Sequence, residues 1–184
     1  MASNEYRKWL AIGSGVGIEI GDRDLRVTVV KVRPNGVEPL GALRIERFAE
    51  RPAAEWGADY SRFLESLGGS HLAATVLLPR RDVIVRHIAM PGVSDSDLPQ
   101  AISFQLDGLH PFPEDEAVHG WARMDDGSNV LIGVTRREVI DRYMGLFAEA
   151  GVKVASLTFS AAALYASLRL LGALALPGAG WCPL

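Results

Sequence analysis

The chain has 184 residues, of which 48% are apolar and 22% charged; this composition excludes a disordered chain and favours a folded globular protein. The formal net charge of −3 at pH 7, without a long run of Lys or Arg, disfavours nucleic acid as a partner. Cys182 is the single cysteine and the four histidines lack metal-ligand spacing, so we expect neither an internal disulfide nor a metal site.

Two apolar stretches near the ends of the chain do not predict a membrane span. The first, "YRKWLAIGSGVGIEIG", is broken by glycines and interrupted by Glu19, which argues against a signal peptide. The second, "AAALYASLRLLGALALP", carries Arg169 and stops at Pro177, short of the ~20 residues that a bilayer requires. Its Ala and Leu content instead predicts a helix over residues 160–171 that is packed in the core.

The first part of the chain predicts an antiparallel β-meander. Residues 16–20 and 25–32 are rich in Val and Ile and are joined across residues 21–24, which is the pattern of a β-hairpin. Asn35-Gly36 is a strong turn signal that introduces a third strand. Pro39 lies early in this strand, as expected of a proline in an edge strand or at the start of a strand.

A helix and a parallel strand are predicted after the meander. Apolar side chains recur at three- and four-residue steps from Ala53 to Leu67, and the pair Gly68-Gly69 ends this helix. The apolar run "LAATVLL" then predicts a fourth strand, parallel to a neighbour because a helix connects the two. Three strands, a helix and a strand form one α/β unit.

A second module begins after Pro79 with the predicted strand "VIVRHIAM". Its helix begins near Ser94 or Ser96, and Pro99 fits the first turn better if Ser96 is the N-cap. The stretch "HPFP" ends this helix. Five residues share its apolar face: Leu98, Ala101, Ile102, Leu106 and Leu109.

The second module continues with two strands, "EAVHGWARM" and "NVLIGVT", around the turn "DDGSN". Thr135 and Glu138 form a capping box, which predicts the start of the next helix. The apolar stripe of that helix continues to Gly151, where the helix is expected to end. The strand "VKVASLTF" follows.

Several of these stretches, in this order, resemble one family. "VGIEIG" resembles the first phosphate motif of the actin-like superfamily. Residues 83–118, with a proline, a capped helix, "HPFP" and an acidic strand start, are similar to the inserted subdomain of the PilM proteins of type IV pilus assembly. Residues 130–164, which contain the "AGVK" turn, are similar to the end of the same subdomain. The resemblance extends from Val16 to about Leu171.

The resemblance implies an α/β fold with an actin-like (ribonuclease H-like) core domain and a small inserted α+β subdomain of the SHS2 type, which the cell-division protein FtsA also has. It assigns residues 12–80 and 152–184 to the core and residues 81–151 to the inserted subdomain. The chain is similar to the first of two halves that close over a nucleotide, and the second phosphate motif is absent. Trp181 and the apolar tail suggest that Leu184 is not a natural terminus.

The hairpin motif predicts at most a vestigial nucleotide site at Gly17, Glu19, Gly21 and Asp22. The glycines let backbone amides approach a phosphate, and an acid between them can hold the water shell of magnesium. The family usually has Asp at the position of Glu19 and Ser or Thr at that of Asp22, where a carboxylate repels phosphate. The alternative is a strand end with a glycine turn and no site.

With half of the cleft missing, we expect neither a bound cofactor nor enzymatic activity in this chain. ATP and magnesium could still bind to a full-length protein.

Three side chains are candidates for binding a protein partner. PilM proteins bind the N-terminal tail of the membrane protein PilN in a groove between core and inserted subdomain, so the resemblance implies such a partner. Phe104 lies off the apolar stripe of its helix, where an aromatic either anchors a peptide or packs on a core strand. Phe112 either joins that surface or plugs the small core. Arg86 either meets an acidic group or faces solvent.

The leading hypothesis is a cytoplasmic scaffold at the inner face of the bacterial inner membrane, which binds a PilN-like tail and other inner-membrane components of a pilus or secretion machine. A related hypothesis is the cytoplasmic domain of a type II secretion protein similar to GspL. The rival of a different class is an ATP-binding actin-like ATPase or filament protein that lacks its second half.

Overall fold

The computed structural model describes residues 13–33, 36–124 and 127–172, and the structural statements below concern these ranges. Their strands form a larger sheet, β3-β2-β1-β4-β8, and a smaller sheet, β5-β7-β6. The strands are β1 (Gly13–Ile20), β2 (Leu25–Arg33), β3 (Gly36–Ile45), β4 (Ala74–Leu78), β5 (Ile84–Ala89), β6 (Ala117–Arg123), β7 (Asn129–Arg136) and β8 (Val154–Phe159), and the helices are α1 (Ala53–Ser66), α2 (Leu98–Gln105), α3 (Arg137–Glu149) and α4 (Ser160–Gly172).

The predicted hairpin is confirmed. β1 and β2 pair antiparallel, and the amide of Gly21 donates to the carbonyl of Asp24 at 2.9 Å to close the turn. Alternation along β1 buries Val16, Ile18 and Ile20 in the core. Gly17 and Glu19, two residues apart, therefore lie together on the opposite face of the sheet.

The order of the larger sheet follows from its connections. β3 pairs antiparallel with β2 and is an edge strand, which confirms the prediction from Pro39. β4 pairs parallel with β1, and β8 pairs parallel with β4, because helices connect these strands. α1 ends as predicted, with Gly68 at φ 68° and a hydrogen bond of 2.8 Å from the Gly69 amide to the Leu64 carbonyl.

The core of the larger sheet is built around a fully buried tryptophan. Trp56 of α1 meets Phe48 and Phe147 edge to face, with centroid distances of 6.3 and 6.0 Å. α3 approaches α1 so closely that a Cβ atom on Gly57 would lie 2.1 Å from the carbonyl oxygen of Ala150. Glycine at position 57 therefore permits this helix pair.

The smaller sheet has its own core, which α2 covers. Val130, Ile132 and Val134 of β7 are fully buried against the apolar face of α2, and the face predicted for this helix is confirmed. The opposite face of β7 meets the larger sheet, where Gly133 lies against the ring of Phe159. The short 3₁₀ turn Arg80–Asp82 connects β4 to β5 and thus joins the two sheets.

The predicted N-cap of α2 is wrong. The helix begins at Leu98 after Asp97, and no side chain caps it. Ser94 instead closes the preceding turn, since its Oγ accepts a hydrogen bond of 3.3 Å from the Asp97 amide. Pro99 lies in the first turn, as predicted. The helix ends at Gln105 and a 3₁₀ turn continues it, so it is shorter than the sequence suggested.

The predicted capping box at Thr135 and Glu138 is also wrong. Thr135 still belongs to β7, and its hydroxyl donates to the carbonyl of Asp82 at 2.6 Å. α3 follows directly at Arg137, without a side-chain hydrogen bond at its cap. The Thr135 hydroxyl, which the local pattern predicted to cap α3, therefore binds a distant segment of the chain instead. The end of α3 at Gly151, with φ 70°, is as predicted.

The helix predicted over residues 160–171 is present, but its predicted burial is wrong. Within residues 160–169 of α4 no side chain is buried, and Leu164 and Leu168 are 62% and 41% exposed. α4 follows β8, the edge strand of the larger sheet, and reaches the core with Ala161 and Ala162. The position of α4 at the edge of the sheet therefore leaves it exposed, although its Ala and Leu content is typical of a buried helix.

The helix α3 packs on the larger sheet, although the predicted limits 81–151 assign it to the inserted subdomain. Tyr143 and Phe147 belong to the core around Trp56, together with Val83 at the start of the module. The limits themselves, including 12–80 and 152–184, remain a prediction. Trp181, Cys182 and Leu184 lie outside the described residues.

Candidate functional site

Glu19, the predicted magnesium acid of the hairpin, makes a cross-strand ion pair. Its Oε2 accepts from Nη1 of Arg26 at 3.1 Å, and the two residues are directly opposite in the β1–β2 ladder. Both side chains are more than half exposed, at 52% and 64%. Glu19 therefore forms a solvent-exposed ion pair with Arg26.

Asp22 and the two glycines are also engaged within the chain. The carboxylate of Asp22 accepts from Nη1 of Arg81, which reaches it from the turn between the two sheets. The Gly21 amide already donates to Asp24, whose carbonyl would lie 2.9 Å from a Cβ atom at position 21. Gly17 has open space around it, with no atom within 4 Å of an added Cβ. The backbone of Gly17 is paired in the sheet, with β2 on one side and β4 on the other.

A magnesium nucleotide fits these residues poorly. It needs amides directed at phosphate and a free acid for the metal, whereas the Gly21 amide, Glu19 and Asp22 all have partners inside the chain. Two cavities of about 120 and 460 Å³ lie elsewhere, under the end of α1 and beside the end of β3, and none of the four predicted residues lines them.

The larger cavity is bordered by a network of ion pairs. Arg51 donates to Asp59 at 2.8 Å and thereby lowers the pKa of the Asp59 carboxyl. The Asp24 pKa is lowered likewise, by hydrogen bonds from Arg44 and from the Arg47 amide. Because each basic side chain of this network is paired with an acidic one, the network offers little net charge to a ligand. We therefore interpret it as part of the structure of the surface and not as a binding site.

Phe104 is the most exposed large apolar side chain among the described residues. It is 81% exposed on α2, whereas Ile102 on the opposite side of the same helix is fully buried. A phenyl ring in solvent gains nothing from folding, and aromatic side chains in such positions are common anchors for a partner. Of the two interpretations of Phe104, the structure therefore disfavours packing on a core strand.

Phe112 lies differently, in the loop after α2. It stacks on His110, with ring centroids 5.5 Å apart, and the guanidinium of Arg136 lies 5.0 Å from its ring centre. It packs against the small core and is only partly exposed. These contacts favour a plug of the small core over a binding surface.

Arg86 is exposed on the edge strand β5. Its guanidinium makes a long hydrogen bond of 3.4 Å to the carbonyl of Val85 and no ion pair among the described residues. In the ladder, Arg86 and Trp121 both lie opposite Ile132, so they flank the same face of the smaller sheet. Trp121 is 37% exposed, and its strand gave no signal in the sequence that it was a site residue.

Asp82 is a structural residue that the sequence analysis did not single out. Its carboxylate accepts from the hydroxyl of Tyr143 at 2.8 Å and from Arg142 at 3.2 Å, while its carbonyl accepts from Thr135. These partners lie on α3 and β7, and Asp82 itself lies in the turn that leads to β5. The residue thus fixes the junction between the two sheets.

The described ranges contain neither a metal cluster nor a membrane helix. His, Cys, Asp and Glu side chains nowhere come together in a group of three or more that could hold a metal ion. None of the described helices is both long and apolar enough to cross a bilayer.

Comparisons with known proteins show likeness in structure alone. No protein-family model and no curated protein matches the chain. A PilM–PilN type IV pilus biogenesis complex contains a chain that is 20% identical, with a TM-score of 0.61, over 87% of this chain and 50% of that one. The cytoplasmic domain of EpsL, an inner-membrane component of the type II secretion system of Vibrio cholerae, is 11% identical, with a TM-score of 0.54, over 79% and 57%.

A lower likeness, at 9% identity and a TM-score of 0.40, is to a Bacteroides thetaiotaomicron protein of unknown function with an actin-like ATPase fold, over 80% and 53% of the two chains. The chain spans about half the length of these solved structures.

The predicted fold class is confirmed by the likeness to the PilM chain. The smaller sheet and α2 lie in the sequence between β4 and β8 of the larger sheet, and the division into an actin-like core and an inserted subdomain remains a prediction. The resemblance to PilM in the sequence is thereby confirmed at the level of the fold.

Proposed function

We propose that this chain is a non-catalytic scaffold of type IV pilus or related secretion machinery, which binds the N-terminal tail of a PilN-like inner-membrane protein at the cytoplasmic face of the inner membrane. The observation that carries this proposal is the exposed ring of Phe104 on the small subdomain of a PilM-like fold. In a soluble domain, a large aromatic at 81% exposure is a candidate anchor for a partner.

The chemistry of the hairpin supports a scaffold over an ATPase. Phosphoryl transfer needs donors on both sides of the γ-phosphate and a coordinated metal. Here Glu19 faces Arg26 and Asp22 faces Arg81, so the acids are paired with bases of the same chain. The rival function, an ATP-binding actin-like ATPase, would require these pairs to open.

A second secretion system is an alternative setting for the same scaffold. The EpsL domain has a similar fold and belongs to an inner-membrane component of the type II secretion system. Arg86 and Trp121, which are exposed on the two edge strands of the smaller sheet, are available to a partner in either system. A GspL-like role therefore differs from the PilM-like role in the identity of the partner and not in the kind of activity.

Thermal unfolding with two ligands tests the proposal against the ATPase. The chain is heated with 1 mM magnesium ATP, or with a synthetic peptide that copies the N-terminal tail of the PilN protein of the solved complex. A ligand that binds only the folded state raises the free energy of unfolding, by about 2.7 kcal/mol at a hundredfold excess over Kd, and therefore raises Tm. We expect the peptide, and not ATP, to raise Tm by several degrees. The reverse result would favour the ATPase.

A further inference from the structure

Within the described ranges, β6 is an edge strand whose backbone groups point alternately to β7 and to the free edge. Hydrogen bonds just beyond its two ends fix this alternation. The Arg137 amide donates to the Glu116 carbonyl at 2.8 Å, and at the other end the Met124 amide donates to the Asn129 carbonyl at 2.9 Å. Because bonded and unbonded residues alternate in an antiparallel ladder, the even-numbered residues of β6 bind β7. The amides and carbonyls of residues 117, 119, 121 and 123 therefore point to the free edge.

The free edge of β6 lacks the features that usually block an edge strand. Natural edge strands are commonly blocked by proline, lysine or a bulge. β3, at the edge of the larger sheet, contains Pro39 and a register shift against β2. β6 contains neither proline nor lysine and pairs with β7 without a shift along its whole length. The residues at its centre, His119, Gly120 and Trp121, are exposed. The edge can therefore accept a further strand.

The sequence of β6 suits pairing with a second copy of the same strand. Gly120 is the middle one of its seven residues, so an antiparallel pair centred on Gly120 uses the whole strand. In this register His119 lies opposite the second copy's Trp121, and their outward-pointing amides and carbonyls exchange hydrogen bonds. Such aromatic pairs stabilise neighbouring strands. Within the strand no two like charges meet, because Arg123 lies opposite the second copy's Ala117.

The space beside the centre of β6 is open to an approaching backbone. A Cβ atom added to Gly120 would have no atom within 4 Å, whereas its ladder partner Gly133 lies against the ring of Phe159. The larger sheet therefore approaches the middle strand β7 and leaves the centre of β6 uncovered. On the opposite face, α2 covers the side chains of β7 and leaves Trp121 37% exposed at the margin.

We propose that two copies of this chain associate through β6, with the two strands antiparallel and centred on Gly120, so that the two smaller sheets become one continuous sheet. The same surface of each copy forms the interface, as in other two-fold dimers. A single pair of strands buries little surface, so we expect a weak dimer with a Kd of about 0.1 mM. The second copy covers Trp121, whereas Phe104 on α2 and Arg86 on β5 remain exposed. This inference is independent of the partner at Phe104.

A cysteine at the centre of β6 tests the register. In the proposed dimer the two residues at position 120 form a non-hydrogen-bonded pair with Cα atoms about 4.5 Å apart, which is within the range of a disulfide. Gly120→Cys, in a chain with Cys182→Ser, should therefore give a disulfide-linked dimer with oxidised glutathione, seen by non-reducing electrophoresis. Gly145→Cys in the same background is the matched control, because Gly145 is an exposed glycine of α3 with equally open space. We expect it to cross-link at least about tenfold more slowly.

Proline substitutions test whether the free edge of β6 carries the association. His119→Pro removes an outward amide that β7 does not use, so the β6–β7 ladder should persist while the dimer is lost. His87→Pro is the matched control on the opposite edge. The Met90 amide donates to the Ser128 carbonyl at 2.6 Å, which places His87 among the residues of β5 whose amides also point outwards. Circular dichroism checks that both variants are folded.

Sedimentation equilibrium at up to about 0.5 mM protein gives the dimer constant, since most of the chain is dimeric at this concentration if Kd is about 0.1 mM. We expect H119P to weaken association at least about tenfold and H87P to leave it unchanged. A wild-type chain that stays monomeric would leave the edge to a strand of another protein and would overturn the proposal. It is also overturned if H87P weakens association as much as H119P, or if G145C cross-links as fast as G120C. If H119P does not fold, the two cysteine variants decide.

Discussion

Gly133 of the smaller sheet lies directly against the ring of Phe159, the last residue of β8 in the larger sheet. A Cβ atom at position 133 would lie 2.5 Å from Cδ1 of that ring, well inside contact distance. Phe159 is 7% exposed and belongs to the main core, so its ring has little freedom to move away. The approach of the two sheets at this point therefore depends on the absence of a side chain.

Gly133→Ala should lower the stability of the chain. The added methyl group must displace a buried ring, and overpacking of this kind typically costs about 1 to 3 kcal/mol. Urea unfolding followed by tryptophan fluorescence measures the change. Gly120→Ala is the control, since Gly120 is the direct ladder partner of Gly133 and has no atom within 4 Å of an added Cβ. Equal losses in both variants would contradict the packing described.

Gly57→Ala should be more damaging, because the obstacle is backbone. The added Cβ would lie 2.1 Å from the carbonyl oxygen of Ala150, and only separation of α1 from α3 could relieve the clash. We expect a loss of about 3 kcal/mol in urea unfolding. Gly145→Ala, in the open middle of α3, should instead stabilise by about 0.5 to 1 kcal/mol through helix propensity. A harmless G57A would show that the helices lie further apart.

Loss of the hydroxyl should affect the stability of the chain differently at two buried tyrosines, Tyr143 and Tyr60. Tyr143 donates to the Asp82 carboxylate at 2.8 Å, so Y143F removes a hydrogen bond to a charged group and should cost about 1.5 to 3 kcal/mol. The hydroxyl of Tyr60 is buried without a hydrogen-bond partner among the described residues. Y60F should therefore be neutral or stabilising. A larger loss in Y60F than in Y143F would reverse this account of the junction.

The same tyrosines predict loss of stability at alkaline pH. Burial raises the pKa of both phenols above the usual value of 10.0, and for Tyr143 the hydrogen bond to Asp82 adds to the effect. A raised folded-state pKa gives stability that is complete below the unfolded pKa and is lost as pH rises through the folded one. The free energy of unfolding should fall above about pH 10. The double variant Y60F/Y143F should lose less, and an unchanged pH profile would contradict the prediction.

The periodic parts of the fold could be predicted from the sequence. Alternation of Val and Ile identified the hairpin, and glycines at positions 68 and 151 fixed the ends of two helices, because these signals act within a few residues. The sequence also placed Phe104 off the apolar stripe of α2, but it left open whether the ring is exposed or packs on a core strand, and the structure shows that it is exposed. The local sequence pattern is sufficient to predict the structure wherever the contacts of a residue are made with its neighbours in the sequence.

Contacts between distant segments were not predictable from local pattern. Thr135 looked like a helix cap but donates to Asp82, and nothing in the local sequence indicated that Asp22 faces Arg81. Leu164 looked like a core residue, yet its helix follows an edge strand and leaves it 62% exposed. In each case the deciding partner, or its absence, is set by the arrangement of the two sheets.

Fluorescence anisotropy with a labelled peptide tests the scaffold function most directly. The peptide copies the N-terminal PilN tail, and its Kd is measured for the wild type, for Phe104→Ala and for Leu164→Ala, a control that removes a similarly exposed apolar side chain from α4. We predict saturable binding that F104A weakens at least about tenfold, as expected of an anchor residue, and that L164A leaves unchanged. Absence of binding to the wild type, or equal binding by all three chains, would contradict the proposed role of Phe104.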